Sequence, residues 1–496
     1  MVRMNDLDHL LGGFTLPQAR GRLVDFWAKY RVLFPRHQLW EDVDAGRKDP
    51  ACCVPILIHG DEGVTYKKNG LLVLSFQGVW GHGSSKRNVD YRAVDEGIPL
   101  NFLRTGFQTR MLICVCPKEL YQDDPRIWNA IFEIVVADLA ACERDGIDLG
   151  GQQGRIFPIV LANKGDWSYL VSSGNLERSY RRAPKGAGDQ GDFQVQGPGI
   201  CHLCACGQGI DWENMAEAEA AMEESHTVAM APPWERECPM TRLLLVDGEV
   251  NGKARFHQVD CWHSIHLGVG KSWVACGIMT LQQLILDGTN VDSRIEVIAR
   301  EYKEFCRRSR LDPIIRKIDV RTFGCTTSPE GTWNKAAITS NFMMFLEDFC
   351  ERRSDLIEQH ERLRLFVVGT KHLNKFMRGI YANDALIPSA LALELGNSLR
   401  TFIKAYMWQA HAAYSLGLSF YPLYPKLHAL HEVAFELKRQ SRIAAYCTNP
   451  AIFTCSLDED FIGRCATVSR QVSPRLIALR VLQRYLAHIQ SIWARG

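Results

Sequence analysis

Val54-Pro55-Ile56-Leu57-Ile58-His59-Gly60-Asp61-Glu62-Gly63 is the stretch on which the reading of the fold turns. A short apolar run that gives way to Gly, Asp and Glu has the composition of a buried strand entering a turn. Two more such runs, Leu71 to Val79 and Arg110 to Cys116, read as strands. Between Pro125 and Arg144 the period changes: Ile127, Ile131, Val135 and Leu139 recur every fourth residue, which predicts an amphipathic helix. Ile156 to Ala162 is a fourth strand, running into Lys164-Gly165-Asp166-Trp167. The order strand, strand, strand, helix, strand predicts an α/β fold, and the first and fourth strands each lead to an aspartate.

On the N-terminal side, residues 18 to 35 carry Leu23, Phe26, Trp27, Tyr30 and Leu33 on one helical face. On the C-terminal side, residues 174 to 215 read as a polar loop holding Cys201-His202-Leu203-Cys204. Phe256 to Asp260 reads as a fifth short strand leading to Trp262-His263-Ser264-Ile265-His266, and residues 275 to 445 are helical in period. A segment at Ser456-Leu457-Asp458-Glu459-Asp460-Phe461 and a helix from Pro474 to Trp493 close the chain. The expected division is an N-terminal helical segment at 1–48, a first part of the core at 49–270, a helical insertion at 271–448 and final helices at 449–496 that complete the core.

The 496 residues exceed one hydrophobic core. A hydrophobic fraction of 46% with 23% charged residues is that of a folded chain and excludes wholesale disorder. Apolar runs are too short to span a bilayer and the first residues lack a secretory h-region, so a soluble intracellular protein is expected. The 17 cysteines are scattered and odd in number, which fits free thiols in a reducing compartment. A net charge of +2 weighs against a uniformly DNA-binding surface and leaves room for a local basic groove.

A two-metal phosphodiester site needs about three carboxylates converging from different elements, holding two divalent ions roughly 3.5–4 Å apart. Oxygen ligands suit Mg²⁺ or Mn²⁺. If the first and fourth strands are neighbours, Asp61 and Asp166 emerge side by side; Glu459 is the expected third acid, with Asp458, Asp460, Glu394 and Glu432 as rivals and Glu62 as a substitute for Asp61. Cys201 and Cys204 have the spacing of zinc ligands, with His263 and His266 as the expected partners among several nearby Cys and His. Lys67, Lys68, Arg464 and Arg470 are the candidate phosphate contacts. The Gly-rich piece Gly78 to Gly83 is followed by no Gly-Lys-Ser/Thr, so no P-loop and no nucleotide cofactor are expected.

Here the sequence resembles eukaryotic DDE transposases of the CACTA type, over roughly residues 50 to 490. The order of strands with Asp61 and Asp166 looks like their ribonuclease-H-like core, a mixed sheet with a large, mostly helical insertion before the final glutamate. Cys201 and Cys204 match their Cys-x-x-Cys, Asp260-Cys261-Trp262-His263 their Asp-x-x-His signature, and Pro425-Lys426-Leu427-His428 a late Pro-Lys-x-His segment. The resemblance implies Mg²⁺-dependent cleavage of DNA to a 3′-hydroxyl, strand transfer at the same site, homo-oligomers that hold two DNA ends, and a nuclear location. Two features depart from that pattern: no separate N-terminal DNA-binding module is visible, and the net charge is nearly neutral.

Plainer readings stand beside these. Asp61 fits an ordinary turn, Asp166 an N-cap for a helix starting at Trp167, and Ser456 to Glu459 a capping box. Two rival functions remain: a transposase-derived protein that only binds DNA or protein, and a zinc hydrolase using the Cys and His residues from 201 to 266 with Asp260 as base.

Overall fold

The first strand, β1 (Cys53–Val64), is longer than the sequence suggests: it continues through Asp61 and Glu62. The cause lies in what flanks it. β2 (Gly70–Gly78) pairs antiparallel with β1 as far as Val64 opposite Gly70. Gly63 lets a later helix lie on this end of the strand, since a Cβ there would come within 3.0 Å of Ile462 and 3.1 Å of Ala466. The structure, a computed structural model, describes residues 7–84, 97–150, 154–180 and 199–493.

β3 (Met111–Pro117) pairs antiparallel with β2. The helix α2 (Pro125–Asp145) follows, later in the chain than α1 (Leu16–Leu33). The two-residue β4 (Ile147–Asp148) then leads to β5 (Arg155–Gly165), which lies parallel to β1, and β6 (His257–Gln258) pairs parallel with the far side of β5. The sheet order is β3-β2-β1-β5-β4, so the chain forms a mixed sheet in an α/β fold. A small antiparallel pair, β7 (Leu386–Pro388) with β8 (Tyr446–Thr448), belongs to the same compact unit.

The pairing of β1 with β5 shifts register by one residue: Ile56 faces Val160, but Leu57 faces Ala162, leaving Leu161 as an inserted residue. The buried Glu143 at the end of α2 holds the chain at this irregularity, its carboxylate accepting Val160 N–H at 2.9 Å and Leu244 N–H at 3.1 Å. The shift brings Gly60 opposite Gly165.

One face of the sheet is covered by α4 (Ser456–Ser469) and α5 (Ile477–Trp493), which bury Phe461, Ile462, Val481 and Tyr485 against Leu71, Val73, Leu112 and Val115. On the opposite face α2 contributes the buried Phe132 and the short α3 (Trp167–Ser173) contributes Tyr169. Residues up to Asp260, Tyr381–Ser389 and those from Gln440 onward make this first unit.

The second unit comprises Cys261–Ile380 and Ala390–Arg439 and is helical. Its centre is Trp273, whose ring stacks on Phe366 at 5.0 Å and whose indole N–H donates to Thr370 Oγ1 at 3.0 Å. Gly277 admits this packing, as a Cβ there would fall 2.1 Å from the Phe366 ring. No helix among the described residues is long and apolar enough to cross a membrane.

Candidate functional site

Two identical Gly-Asp dipeptides sit side by side where the parallel pairing of the inner strands β1 and β5 ends. β1 carries His59-Gly60-Asp61 and β5 carries Lys164-Gly165-Asp166, with His59 opposite Lys164 and Gly60 opposite Gly165. The paired glycines face α3. A Cβ on Gly60 would fall 2.1 Å from the Tyr169 ring, and one on Gly165 would fall 2.3 Å from the same ring and 2.7 Å from Gly60 O. Tyr169 therefore lies flat over the glycine pair, its hydroxyl donating to Asn163 Oδ1 at 3.0 Å. Its backbone N–H donates to the Asp166 carboxylate at 2.7 Å, so Asp166 caps α3 while standing next to Asp61. Asp166 is a cap and a member of the acidic cluster at once.

Successive strand residues alternate in direction, so Asp61 points away from Tyr169 and towards α4. Glu459 waits there. One carboxylate oxygen of Glu459 lies within 4.8 Å of one of Asp61. The helix begins at Ser456 after an N-cap at Cys455, so Ser456 to Glu459 form no capping box and Glu459 sits in the first turn of the helix. Partial burial, then the charges of Asp166 and Glu459, then a hydrogen bond with Glu459, push the Asp61 carboxyl well above the usual carboxylate range. Crowded carboxylates of this kind keep a proton unless a cation replaces it. Asp61 and Glu459 thus come within reach of one another with Asp166 beside them, and their carboxylate oxygens suit Mg²⁺ or Mn²⁺.

Asp458, one residue earlier, has another task. It is fully buried, with Arg110 Nε at 3.1 Å and Lys164 Nζ at 2.8 Å; Lys164 also donates to Thr454 O at 2.8 Å. Burial alone would raise its pKa, but Arg110 and Lys164 hold the carboxyl far below the usual range. Asp460 accepts from Gly106 N–H at 2.9 Å and from Arg464 Nε at 2.7 Å. These two of the four rivals for the third position are engaged elsewhere. Glu62, on the opposite face from Asp61, receives the Tyr121 hydroxyl and Lys118 Nζ, each at 2.7 Å. Glu394 and Glu432 belong to the second unit.

His59 is buried beside these groups with neither ring nitrogen hydrogen-bonded, and burial lowers its pKa to about 4. A cleft of about 860 Å³ opens from Asp61 and Asp166 along α2 and α3, past Tyr121, Trp128 and Asn129 to Asn175 and Arg236.

Cys201 and Cys204, expected in a polar loop, are buried. Their sulfurs lie within 4.8 Å of each other, and Leu203 N–H donates to Cys201 Sγ at 3.3 Å. Arg178 fixes the turn by donating to Cys201 O at 2.7 Å and His202 O at 3.2 Å. A backbone N–H aimed at one sulfur of a Cys-x-x-Cys turn suits a thiolate bound to zinc. His263 and His266 lie in the second unit, where His266 Nδ1 is 3.2 Å from Ser340 Oγ. In that unit His428 and Glu432, one helical turn apart, approach to 3.5 Å. Asp260, in the first unit, is buried and accepts from Cys455 N–H at 3.3 Å.

Of the four candidate phosphate contacts, Arg464 is paired with Asp460, and Arg470 donates to Val64 O at 2.6 Å and Thr467 Oγ1 at 2.9 Å. Lys67 and Lys68 stand exposed on the turn between β1 and β2. The sequence reading missed the buried Arg110–Asp458–Lys164 cluster and the Tyr169 plate. The repeated Gly-Asp dipeptide at 60–61 and 165–166 was the available signal for the latter. Compared with protein families and with curated proteins, the chain matches none.

Proposed function

We propose that the first unit is a ribonuclease-H-like nuclease core, of the kind found in DDE transposases, in which Asp61, Asp166 and Glu459 bind Mg²⁺ or Mn²⁺ and DNA phosphodiesters are cut. One observation carries this reading: Asp61 and Asp166, from neighbouring parallel strands, and Glu459, from a helix, crowd together closely enough to push the Asp61 carboxyl well above its usual range, as a cation site would require. The sheet order, antiparallel β1 to β3 with β5 parallel beside β1, also fits such a core. A metal pair held by Asp61, Asp166 and Glu459 would activate the attacking water or DNA 3′-hydroxyl and stabilise the departing oxygen. The protein's part is to hold the acids: Tyr169 positions Asp166, and the buried Asp458 fixes the helix that presents Glu459.

DNA as substrate, strand transfer, assembly into homo-oligomers and a nuclear location follow from the same reading. Cys201 and Cys204 are proposed as two ligands of a structural zinc, separate in role from the acids. The test is a nicking assay on supercoiled plasmid with Mg²⁺ or Mn²⁺. Cleavage by the wild type that is lost in Asp61→Asn, Asp166→Asn and Glu459→Gln supports the proposal. Cleavage that survives all three overturns it. A wild type that is stabilised by Mg²⁺ yet cuts no DNA favours a descendant that has kept the fold without the activity.

A further inference from the structure

The turn joining β1 to β2 is built against the preferences of its own residues. Asn69 N–H donates to Tyr66 O at 3.2 Å to close it, and the two central residues, Lys67 and Lys68, have φ of +54° and +64°. Consecutive left-handed residues in a hairpin turn favour Asn-Gly, because a side chain beyond Cβ is strained there. Lysine has no local hydrogen bond to offer in return. Yet neither lysine packs into the protein: both are exposed, with Lys67 Nζ 5.8 Å above the half-exposed Tyr66 ring. Among the described residues, that distant ring contact is all there is to set against the strain.

The base of the hairpin, by contrast, is held firmly. Arg470 donates to Val64 O at 2.6 Å, Thr65 Oγ1 and Ser469 Oγ share a buried hydrogen bond of 2.6 Å, and Gly63 lies against Ile462 and Ala466. Asn69 donates to Glu119, the acid nearest the turn among its hydrogen-bond partners. The contacts to Gly63, Val64 and Thr65 come from α4 and the residue that caps it, Arg470; this helix carries Glu459, while the strand itself carries Asp61. The tip is thereby fixed relative to the acids, with Lys67 six residues beyond Asp61 and so no more than about 20 Å away.

We infer that the Tyr66–Asn69 turn is a phosphate clamp for duplex DNA, gripping the backbone to one side of the scissile bond, and that its strained lysine pair is kept for this contact. Two ammonium groups at a rigid, exposed tip suit two phosphates of a polyanion, and Arg470 adds cationic charge at the hairpin base. This rests on the reading of the acids as a DNA-cutting site, since that identifies the polyanion.

The test separates strain from charge, and its binding readout does not depend on cleavage. Binding of the full chain to a duplex of about 30 base pairs is followed across salt concentrations without divalent metal, alongside thermal melting. Lys67→Gln/Lys68→Gln keeps the strained backbone and removes the charge. It is expected to weaken binding by about tenfold and to reduce the slope of log K against log salt by about 2, with an unchanged melting temperature. Lys67→Asn/Lys68→Gly is expected to weaken binding as much while raising the melting temperature by about 2 °C or more. Unchanged affinity and slope in both variants, or no duplex binding by the wild type, overturns the clamp. A wild type that binds through these lysines but never cuts DNA leaves the clamp standing and removes the nuclease reading instead.

Discussion

Asp458 and Glu459 are adjacent in the chain, and the first turn of α4 sends them to different places. Asp458 is buried between Arg110 and Lys164, while Glu459 reaches the Asp61 carboxylate on β1. The first residue anchors the helix, and the second is presented by it. Because Lys164 lies two residues before Asp166 on β5, the anchor also ties α4 to the strand that delivers another acid.

Removing the anchor should therefore unfold the protein more readily than removing the acids it serves. Asp458→Asn leaves two buried cations without a full countercharge, a change that costs about 3–5 kcal/mol in comparable cases. Asp460→Asn, in a half-exposed pair with Arg464, should cost no more than about 1 kcal/mol. Chemical denaturation of both variants checks the contrast. The sign with pH follows from the depressed Asp458 pKa: its stabilisation is present above the ordinary carboxylate range and is lost as pH falls through and below it.

Asp61→Asn should behave in the opposite sense. Asn in place of Asp61 removes a carboxyl whose ionisation is disfavoured there, so the metal-free variant is expected to melt at or above the wild-type temperature while losing metal-dependent nicking by about a hundredfold or more. Millimolar Mg²⁺ or Mn²⁺ should raise the melting temperature of the wild type and leave that of Asp61→Asn unmoved. Differential scanning fluorimetry with and without metal reads this directly.

The glycine pair is predicted to be intolerant of even a methyl group. Gly60→Ala and Gly165→Ala each drive a Cβ into the Tyr169 ring, and overpacking of this kind costs about 1–3 kcal/mol. Since Tyr169 N–H holds Asp166, a metal-induced shift in melting temperature should shrink in both variants as well.

Glu143 gives the fold a pH dependence near neutrality. Burial raises its carboxyl from 4.5 to about 7, against the two backbone N–H groups that favour the charged form. A carboxyl raised in the folded state contributes stability that is complete below the unfolded value and lost as pH rises through about 7. Between pH 5 and 8 the wild type should thus lose on the order of 2 kcal/mol from this group, and Glu143→Gln should flatten that part of the profile. Urea midpoints across the range test it.

Cys201→Ser and Cys204→Ser are expected to abolish bound zinc, measured by elemental analysis of the purified chain, and to lower the melting temperature. Nicking rates of whatever protein remains folded should change far less than in the acid variants. Wild-type protein that carries no zinc contradicts the assignment.

Strands, the amphipathic helix and the spacing of the acids were legible because periodicity and turn composition are local properties. The reach of β1 past Asp61 was not, since Gly-Asp-Glu-Gly reads as a turn until Gly63 is seen lying against α4. Nor was the division of labour between Asp458 and Glu459, which depends on Arg110 and Lys164, hundreds of residues away in sequence. The inserted Leu161, which sets Gly60 opposite Gly165, leaves no trace in composition. Cys201 and Cys204 were placed in a polar loop because their neighbours are polar, whereas Arg178 and the local turn bury them.

The first unit is assembled from three separate stretches of chain, and the sheet is made long before α4 and α5. During synthesis Asp61 and Asp166 leave the ribosome 398 and 293 residues ahead of Glu459, with the Leu71, Val73, Leu112 and Val115 face still bare. No shortened product ending before α4 can hold the complete set of acids. Arrival of α4 and the meeting of the three acids are one event, at the cost of a long interval in which an apolar sheet face needs protection from its neighbours.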